Sequence, residues 1–574
     1  MATHEDVKLS PVEGFKSESN FLRGAIGEEL VDANDFFGKE SVQLLKNHGM
    51  YQQDDRDVRA ESRVAGKAGK AFSFMVRTKI PGGRLTSDQL MAELDLCDEV
   101  GNATLRITSR QGLQLHGVLK GDVKRSIQRI NEVQLSTLAA CGDVQRNFMC
   151  CPAPHYGDSV HEEMFALSAQ LAKHFCPRTR AYHEIWLKND GEEDTLIGGG
   201  EPDHEPIYGP TYLPRKFKTA VGLPGDNCVD LYANDLGLMA ICENYKIIGY
   251  NLLVGGGMGV TPSAKKTFPA VAKRMAFCTP EQAVEVATAI VMVQRDFGNR
   301  SDRKLARLKY LIHDRGLAWY KAKVEEYCGF ALPDPHPQDV TGLDDHIGWR
   351  EQGDGKLYYG LNVENGRIAD VDGVRLKTAL REICGEYRPE IRLTPHQSVL
   401  ICNIDPAARN DLEGLLRSHG VKLSEEISNT RRWSMACVAW PTCGLAITES
   451  ERALPGIIDR LEAEVAKLGL SSEVFTVRMT GCPNGCARPY NCDIGLVGKS
   501  VGKYTVYVGG RVLGDRLNFI FKDSILEADV APTLVPLFVY FKQGREAGES
   551  FGDFCARKGA DDLIAWADKF EQVA

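Results

Sequence analysis

LRITSRQGLQLHGV, residues 105–118, returns far downstream as IRLTPHQSVLICNI, residues 391–404, and this pairing decides the fold. Arg106, Thr108 and Gln111 of the first copy match Arg392, Thr394 and Gln397 of the second at one constant offset. In the same way GKLYYGLNVENGRI, ending at Ile368, resembles the strand and turn around Arg77 in AFSFMVRTKIPGGRLT, where β-forming residues lead into a Pro-Gly-Gly turn. NDLGL (234–238) resembles CDIGL (492–496), and LLVGGG (252–257) resembles VYVGG (506–510). The copies run in the order A, B, A′, B′. That period is far too long for a solenoid, whose units span roughly 20–50 residues, so it predicts a duplicated two-part unit with a pseudo-twofold axis. Strand patterns dominate A and A′. B and B′ add helical patterns, PEQAVEVATAIVMVQRDFG (280–298) and the amphipathic ALPGIIDRLEAEVAKLG (453–469). An α+β architecture is expected.

The chain has 574 residues, enough for about two to four domains and a large core. Its 69 basic and 78 acidic residues give a net charge of −9, so nothing global points to nucleic acid or to an anionic membrane surface. No charged leader with an apolar core follows Met1, and no run approaches the roughly 18 apolar residues of a membrane span. Seventeen cysteines diluted through so long a chain suit a reducing, cytoplasmic compartment better than a disulfide scaffold.

Four cysteines arrive as two pairs. Cys437 and Cys443 in MACVAWPTCGLAITESER have five residues between them, and Cys482 and Cys486 in MTGCPNGCARPY have three. Thiolates in this arrangement suit a soft metal centre. The wider gap tilts the choice from structural zinc toward iron, and four buried, unreactive thiols are the bland alternative. Gly481 and Gly485 can bring backbone N–H groups close to sulfur. GGGMG, 255–259, lacks the order of glycines of a dinucleotide loop and reads as a tight turn beside a large cofactor. With no other flavin or nucleotide pattern, electrons are expected from a partner.

C-x5-C followed by TGCPNGCARP closely resembles the siroheme and [4Fe-4S] sulfite and nitrite reductases, and the resemblance runs from HGMYQQDDRDVR near the start to ESFGDF near the end. It implies that Cys437, Cys443, Cys482 and Cys486 hold the cluster, and that Cys486 also bridges to the siroheme iron. It implies the same A-B-A′-B′ plan with siroheme between domains. Residues 1–70 would form an arm that wraps the core and could dock an electron donor, although HGMYQQDDRDVR by itself reads as a solvated charged run, and GKAGK (66–70) as a hinge. Residues 71–138 with 350–415 would form the ferredoxin-like halves, 139–349 the siroheme and substrate domain, and 416–574 the cluster domain.

A cofactor with many carboxylates and an anionic substrate need fixed cations. The candidates are Arg77, Arg106, Arg110, Arg146, Arg215, Lys216, Lys218, Arg300, Arg303 and Lys304. By resemblance Arg77, Arg146, Lys216 and Lys218 match the substrate-pocket cations, and Arg106 and Arg110 meet siroheme carboxylates; Arg215, Arg300, Arg303 and Lys304 are further cofactor candidates. Asn147 is assigned no role, and His116 reads as a core residue. The implied activity is the assimilatory six-electron reduction of sulfite to sulfide, with nitrite reduction to ammonia as the alternative; an iron-sulfur carrier and a zinc protein are the readings from other classes. Two lysines in LPRKFK go with the sulfite branch, whereas nitrite reductases tend to carry Asn at the second. The donor is either a separate FAD and FMN flavoprotein with the NADPH site, which HGMYQQDDRDVR and TRAYHEIWLKN favour, or ferredoxin, which EPIYGPTYLPRKFK, WREQGDGKLYYGL and TGCPNGCARPY favour.

Overall fold

The structure is a computed structural model that describes residues 8–65, 69–179, 184–187, 195–199, 205–262 and 264–571. Part of the GKAGK hinge (66–68) and much of TRAYHEIWLKN therefore lie outside the described residues.

Leu105–Ile107 and Leu113–Val118 form an antiparallel hairpin, as do Glu390–Leu393 and Val399–Ile404. Both hairpins turn through a glutamine in the left-handed region, Gln111 at φ 52° and Gln397 at φ 66°. Sheet A runs Met50–Asp54, Phe72–Thr78, Leu113–Val118, Leu105–Ile107, Arg367–Ile368; sheet A′ runs Gly348–Glu351, Leu357–Leu361, Val399–Ile404, Glu390–Leu393, Arg84–Leu85. The last strand of each sheet comes from the other copy: Arg367 lies opposite Arg106, and Arg84 opposite Arg392. One core results, in which Leu105, Ile107 and Leu115 pack with Ile391, Leu393 and Ile401. The two halves complete each other, because a hairpin with one more strand and a shared apolar face buries what neither copy buries alone.

HGMYQQDDRDVR is not a solvated run. Met50–Asp54 pairs along its whole length with Phe72–Thr78 and takes the place in sheet A that Gly348–Glu351 has in A′. Farther on, Arg56 donates to the carbonyls of Cys443 (3.1 Å) and Ala446 (3.3 Å) and lies over the Trp440 ring, so this segment braces the first cysteine loop.

Sheet B is ordered Met149–Cys150, Thr219–Gly222, Leu236–Glu243, Lys246–Val254, Lys273–Cys278, and sheet B′ Ser434–Ala436, Val477–Thr480, Ile494–Ser500, Lys503–Val508, Phe519–Leu526. Both have the same succession of pairings: parallel, parallel, antiparallel, antiparallel. The expected helices form at Ala283–Phe297 and Leu454–Lys467, the latter burying Leu454, Ile457, Ile458, Leu461 and Val465 at helical spacing against its sheet. The hairpin turns join A to B. Gln111 Nε2 donates to the carbonyls of Gly82, Cys150 and Leu393, and Gln397 Nε2 to that of Ala436. No helix among the described residues is long and apolar enough to cross a membrane.

Candidate functional site: a cationic cavity at the cysteine turn

Where B meets B′, one cavity is lined by Arg110, Lys216, Lys218, Arg307, Arg488 and Cys486, with Met149, Asn234 and Met258 among its other walls. Lys216 and Lys218 reach it because the segment before strand Thr219–Gly222 is extended: Phe217 bridges to Gln145 and is buried in the core of B, which turns both neighbouring lysines the other way. Arg110 donates to Asn234 Oδ1 (2.7 Å) and to the carbonyls of Asn147 (2.7 Å) and Thr219 (3.1 Å). Asn147 thus anchors Arg110, and its own Nδ2 donates to the Ile80 and Arg110 carbonyls.

The cavity carries more positive charge than the protein neutralises. Arg307 is paired with Asp235 at 2.7 Å and Arg488 with Asp230 at 2.7 Å, but neither Lys216 nor Lys218 has a carboxylate ion pair among the described residues. Burial, then Arg215 and Arg146, pushes the Lys216 amine down to about 7. Burial, then Lys216 and Arg110, holds that of Lys218 well below the lysine range. Burial pushes Arg110 down to about 9, with Asp235 opposing and Arg146, Arg488 and Arg307 adding to the effect. Such a lining is completed by an anionic ligand.

The four cysteines converge beside it. Gly481 N–H points at Cys437 Sγ (3.4 Å) and Asn484 Nδ2 at Cys482 Sγ (3.4 Å). Burial, then the neighbouring Cys486, raises the thiols of Cys437, Cys443 and Cys482, the last to about 12. Cys486 alone of the four is exposed, and it faces the cavity. A bound cation reverses the cost of making these thiolates. Four thiols close enough to raise one another, with one opening onto a cationic cavity, fit an iron-sulfur cluster beside a polycarboxylate cofactor.

GGGMG is a tight turn against this centre. A Cβ on Gly256 would lie 2.2 Å from the Tyr232 carbonyl, and Lys309 Nζ donates to the Gly257 (2.9 Å) and Gly259 (2.8 Å) carbonyls. Val260 N–H bonds the Pro483 carbonyl at 2.9 Å, which seats the cysteine turn on B.

The remaining sequence candidates are placed differently. Arg146 is buried next to Lys216, with its Nε on the Gly142 carbonyl (3.0 Å). Arg77 lies one layer away, held by Cys141 Sγ (2.7 Å) and the face of Tyr51. Arg215 and Arg303 gather at Asp143, Arg303 at 2.7 Å and Arg215 at 3.8 Å. Arg300 does not line the cavity, because its donors go to Glu13 and to the Tyr212 and Arg295 carbonyls. Lys304 is exposed. Arg106 ties A to B′, pairing with Glu451 (2.7 Å) and bonding the Ala436 carbonyl (2.9 Å) next to Cys437. Sequence reasoning missed Arg307 and Arg488. Arg488 follows Cys486 by two residues and Arg307 follows Arg303 by four, so proximity to chosen motifs was the available signal.

Comparison with known proteins identifies the family. A family model described as "Nitrite and sulphite reductase 4Fe-4S domain" matches residues 168–332, and one described as "Nitrite/Sulfite reductase ferredoxin-like half domain" matches 66–133 and 350–419. The chain is 43% identical over 553 residues to the "Sulfite reductase (NADPH) hemoprotein beta-component" of Staphylococcus saprophyticus, covering 96% of each. It is 44% identical over 558 residues to the protein of that name from Myxococcus xanthus, covering 97% of this chain and 98% of the relative. The solved structure of the Mycobacterium tuberculosis NirA protein superposes with a TM-score of 0.78 at 25% identity, over 97% of this chain and 98% of NirA. With the duplicated fold, the four converging thiols and full-length relatives in accord, this chain belongs to the nitrite and sulphite reductase family.

Proposed function

We propose that this chain is the hemoprotein of an assimilatory sulfite reductase, taking sulfite to sulfide by six electrons. The observation that carries the reading is the single exposed thiol of the cysteine set, Cys486, opening onto a cavity with two uncompensated lysines. Cys437, Cys443, Cys482 and Cys486 would hold a [4Fe-4S] cluster, and Arg110, Arg488 and Arg307, which line the cavity, would meet the carboxylates of siroheme. When bound, these groups would supply the electrons for reduction of an anion held in the cavity. Lys216 and Lys218 aim two amines at that anion, whose negative charge favours their protonated forms, with Arg146 behind Lys216, in a pocket where water screens little. A Lys216 amine near 7 holds and releases its proton at Nζ around neutral pH, which suits the protons consumed as oxygens leave. Arg77 supports this set through Cys141 and Tyr51.

The names of the relatives favour sulfite over nitrite, and NADPH as the ultimate reductant. We take the immediate donor to be a separate flavoprotein that carries the NADPH site, and the compartment to be the cytoplasm, which suits seventeen cysteines without a disulfide among the described residues. The purified chain should show a strong Soret band and a red-region band, and should form sulfide from sulfite with an artificial one-electron donor. Absence of both bands in fully metal-loaded protein, or reduction of nitrite but not sulfite, would refute the reading.

A further inference from the structure

Away from the cofactor cavity a second set of metal-binding side chains converges where three distant segments meet. Cys151 follows strand Met149–Cys150, Asp226 and Cys228 lie in the loop after Thr219–Gly222, and His346 stands just before Gly348–Glu351. One ligand atom from each of the four lies within 4.8 Å of every other. Cys151 Sγ is 2.9 Å from Asp226 Oδ2 and 3.5 Å from His346 Nε2, and His346 Nε2 is 3.0 Å from Asp226 Oδ2. Cys151, Cys228 and His346 are buried, at 4%, 1% and 2% exposure.

The surroundings look built around this point. Asp226 Oδ1 accepts the backbone N–H groups of Cys228 (3.2 Å) and Asp344 (3.1 Å), which leaves Oδ2 for the sulfur and the imidazole. His346 is held at φ 59°, a conformation that few residues other than glycine adopt and that only surrounding contacts maintain. Beside the set lies a cavity of about 330 Å³, lined by His155, His161, Asp226, Asp344 and His346, which supplies an entry path.

We propose that Cys151, Asp226, Cys228 and His346 bind one zinc ion, separate from the iron centres. Two sulfurs exclude the hard cations magnesium and calcium, while two thiolates, an imidazole and a carboxylate form a closed tetrahedral set for zinc. In such a set neighbouring ligand atoms stand about 3.3–3.8 Å apart, so small side-chain movements complete it. Binding releases to solvent the protons that the two sulfurs and His346 Nε2 hold between them, and no electron transfer is involved. The ion serves structure. It clamps the loop 223–230 to the connector that leads into A′, where Asn227 N–H already bonds the Gly342 carbonyl at 3.0 Å. Two residues after Cys228, Asp230 holds Arg478 (3.0 Å) and Arg488 (2.7 Å), so the clamp also steadies one wall of the cofactor cavity.

Zinc content and zinc K-edge X-ray absorption of the purified holoenzyme test this. One zinc per chain is expected, with two sulfur neighbours at about 2.3 Å and two nitrogen or oxygen neighbours at about 2.0–2.2 Å. Cys228→Ser and His346→Gln should each lower zinc retention against a competing chelator by about 10-fold or more. Cys242→Ser, on a residue that lines the same cavity outside the set, should retain it. Holoenzyme that takes up no zinc from an equimolar supply, zinc with nitrogen and oxygen neighbours only, or a Cys151–Cys228 disulfide in the purified protein would overturn the proposal. If a variant misfolds, the wild-type zinc count and ligand shell still decide.

Discussion

Lys216 and Lys218 flank Phe217, whose burial in the core of B sends both amines to the cavity. Sulfite is largely doubly charged near neutral pH and nitrite singly, so removing one amine costs sulfite more. Lys218→Asn is expected to lower sulfite turnover and to raise the nitrite-to-sulfite ratio of kcat/KM by roughly 10-fold, equivalent to about 1.4 kcal/mol. Steady-state kinetics with both anions and one artificial donor measure it, and an unchanged ratio would count against the role. Among the thiols, Cys486→Ser should disrupt the spectra of both cofactors, because oxygen is a poorer ligand for soft iron. Cys492→Ser should leave them intact, since Cys492 is buried with its thiol on the Pro489 and Ile494 carbonyls. Loss of the cluster in the Cys492 variant alone would reassign the ligands. Glu93 offers a pH test. Its carboxyl is pushed up to about 7 by burial, against one hydrogen bond from Thr78 at 2.5 Å. The folded chain holds this proton more tightly than the unfolded chain, so the stability it contributes is whole below about pH 4.5 and lost as pH rises through about 7. Glu93→Gln keeps the acceptor for Thr78 and cannot ionise. Thermal unfolding should show variant and wild type alike near pH 4.5 and the variant more stable at pH 8, by on the order of 3 kcal/mol.

The elements that hold the site are the exchanged strands and the two hairpin turns. Arg84–Leu85 and Arg367–Ile368 each finish the opposite sheet, so A and A′ fold as one body against which B and B′ are placed. Gln111 is the more heavily used of the paired glutamines: besides its three donor bonds, its Oε1 accepts Cys150 N–H at 3.0 Å. Gln397 Nε2 makes one bond, to the Ala436 carbonyl. Both sit at positive φ, so alanine suffers the same backbone strain at either position. Gln111→Ala should therefore destabilise by about 2–4 kcal/mol and Gln397→Ala by less, because buried carbonyls and an amide lose their partners in the first case. Chemical denaturation of the two variants compares them, and a larger loss at Gln397 would contradict this account of the junction.

At the scale of the molecule, the question is how electrons enter. GGGMG is packed from both sides, by the Tyr232 carbonyl and by Lys309, and it contacts the cysteine turn, so it offers no cradle for a pyrophosphate. The purified single chain is expected not to oxidise NADPH with sulfite, yet to turn over with an artificial one-electron donor. Direct NADPH oxidation at a comparable rate would reveal a nucleotide site in the chain itself. The arm belongs to the same question. Arg56 braces the loop of Cys443 from outside, which puts this part of the arm next to the first cysteine pair.

Repeat order and cysteine spacing were enough to read the A-B-A′-B′ plan and to single out the four cysteines, because both are carried by residue identity along the chain; the two lysines were singled out only by family resemblance. Spacing left iron, zinc and buried thiols open, and family resemblance chose among them. Tertiary structure decided what depends on partners far away in the chain. Arg300 and Arg303 share a local pattern with the cavity cations, yet Glu13 and Asp143 take them up, one from the arm and one from a distant loop. Arg307 and Arg488 enter the cavity because Asp235 and Asp230 hold them there. The strand exchange is equally invisible in either copy, since Arg84 and Arg367 have the same neighbours in sequence whichever sheet they join. Cys151, Asp226, Cys228 and His346 form no motif along the chain. Local pattern reports which face a side chain takes; only packing between segments brings it to a charge or a ligand.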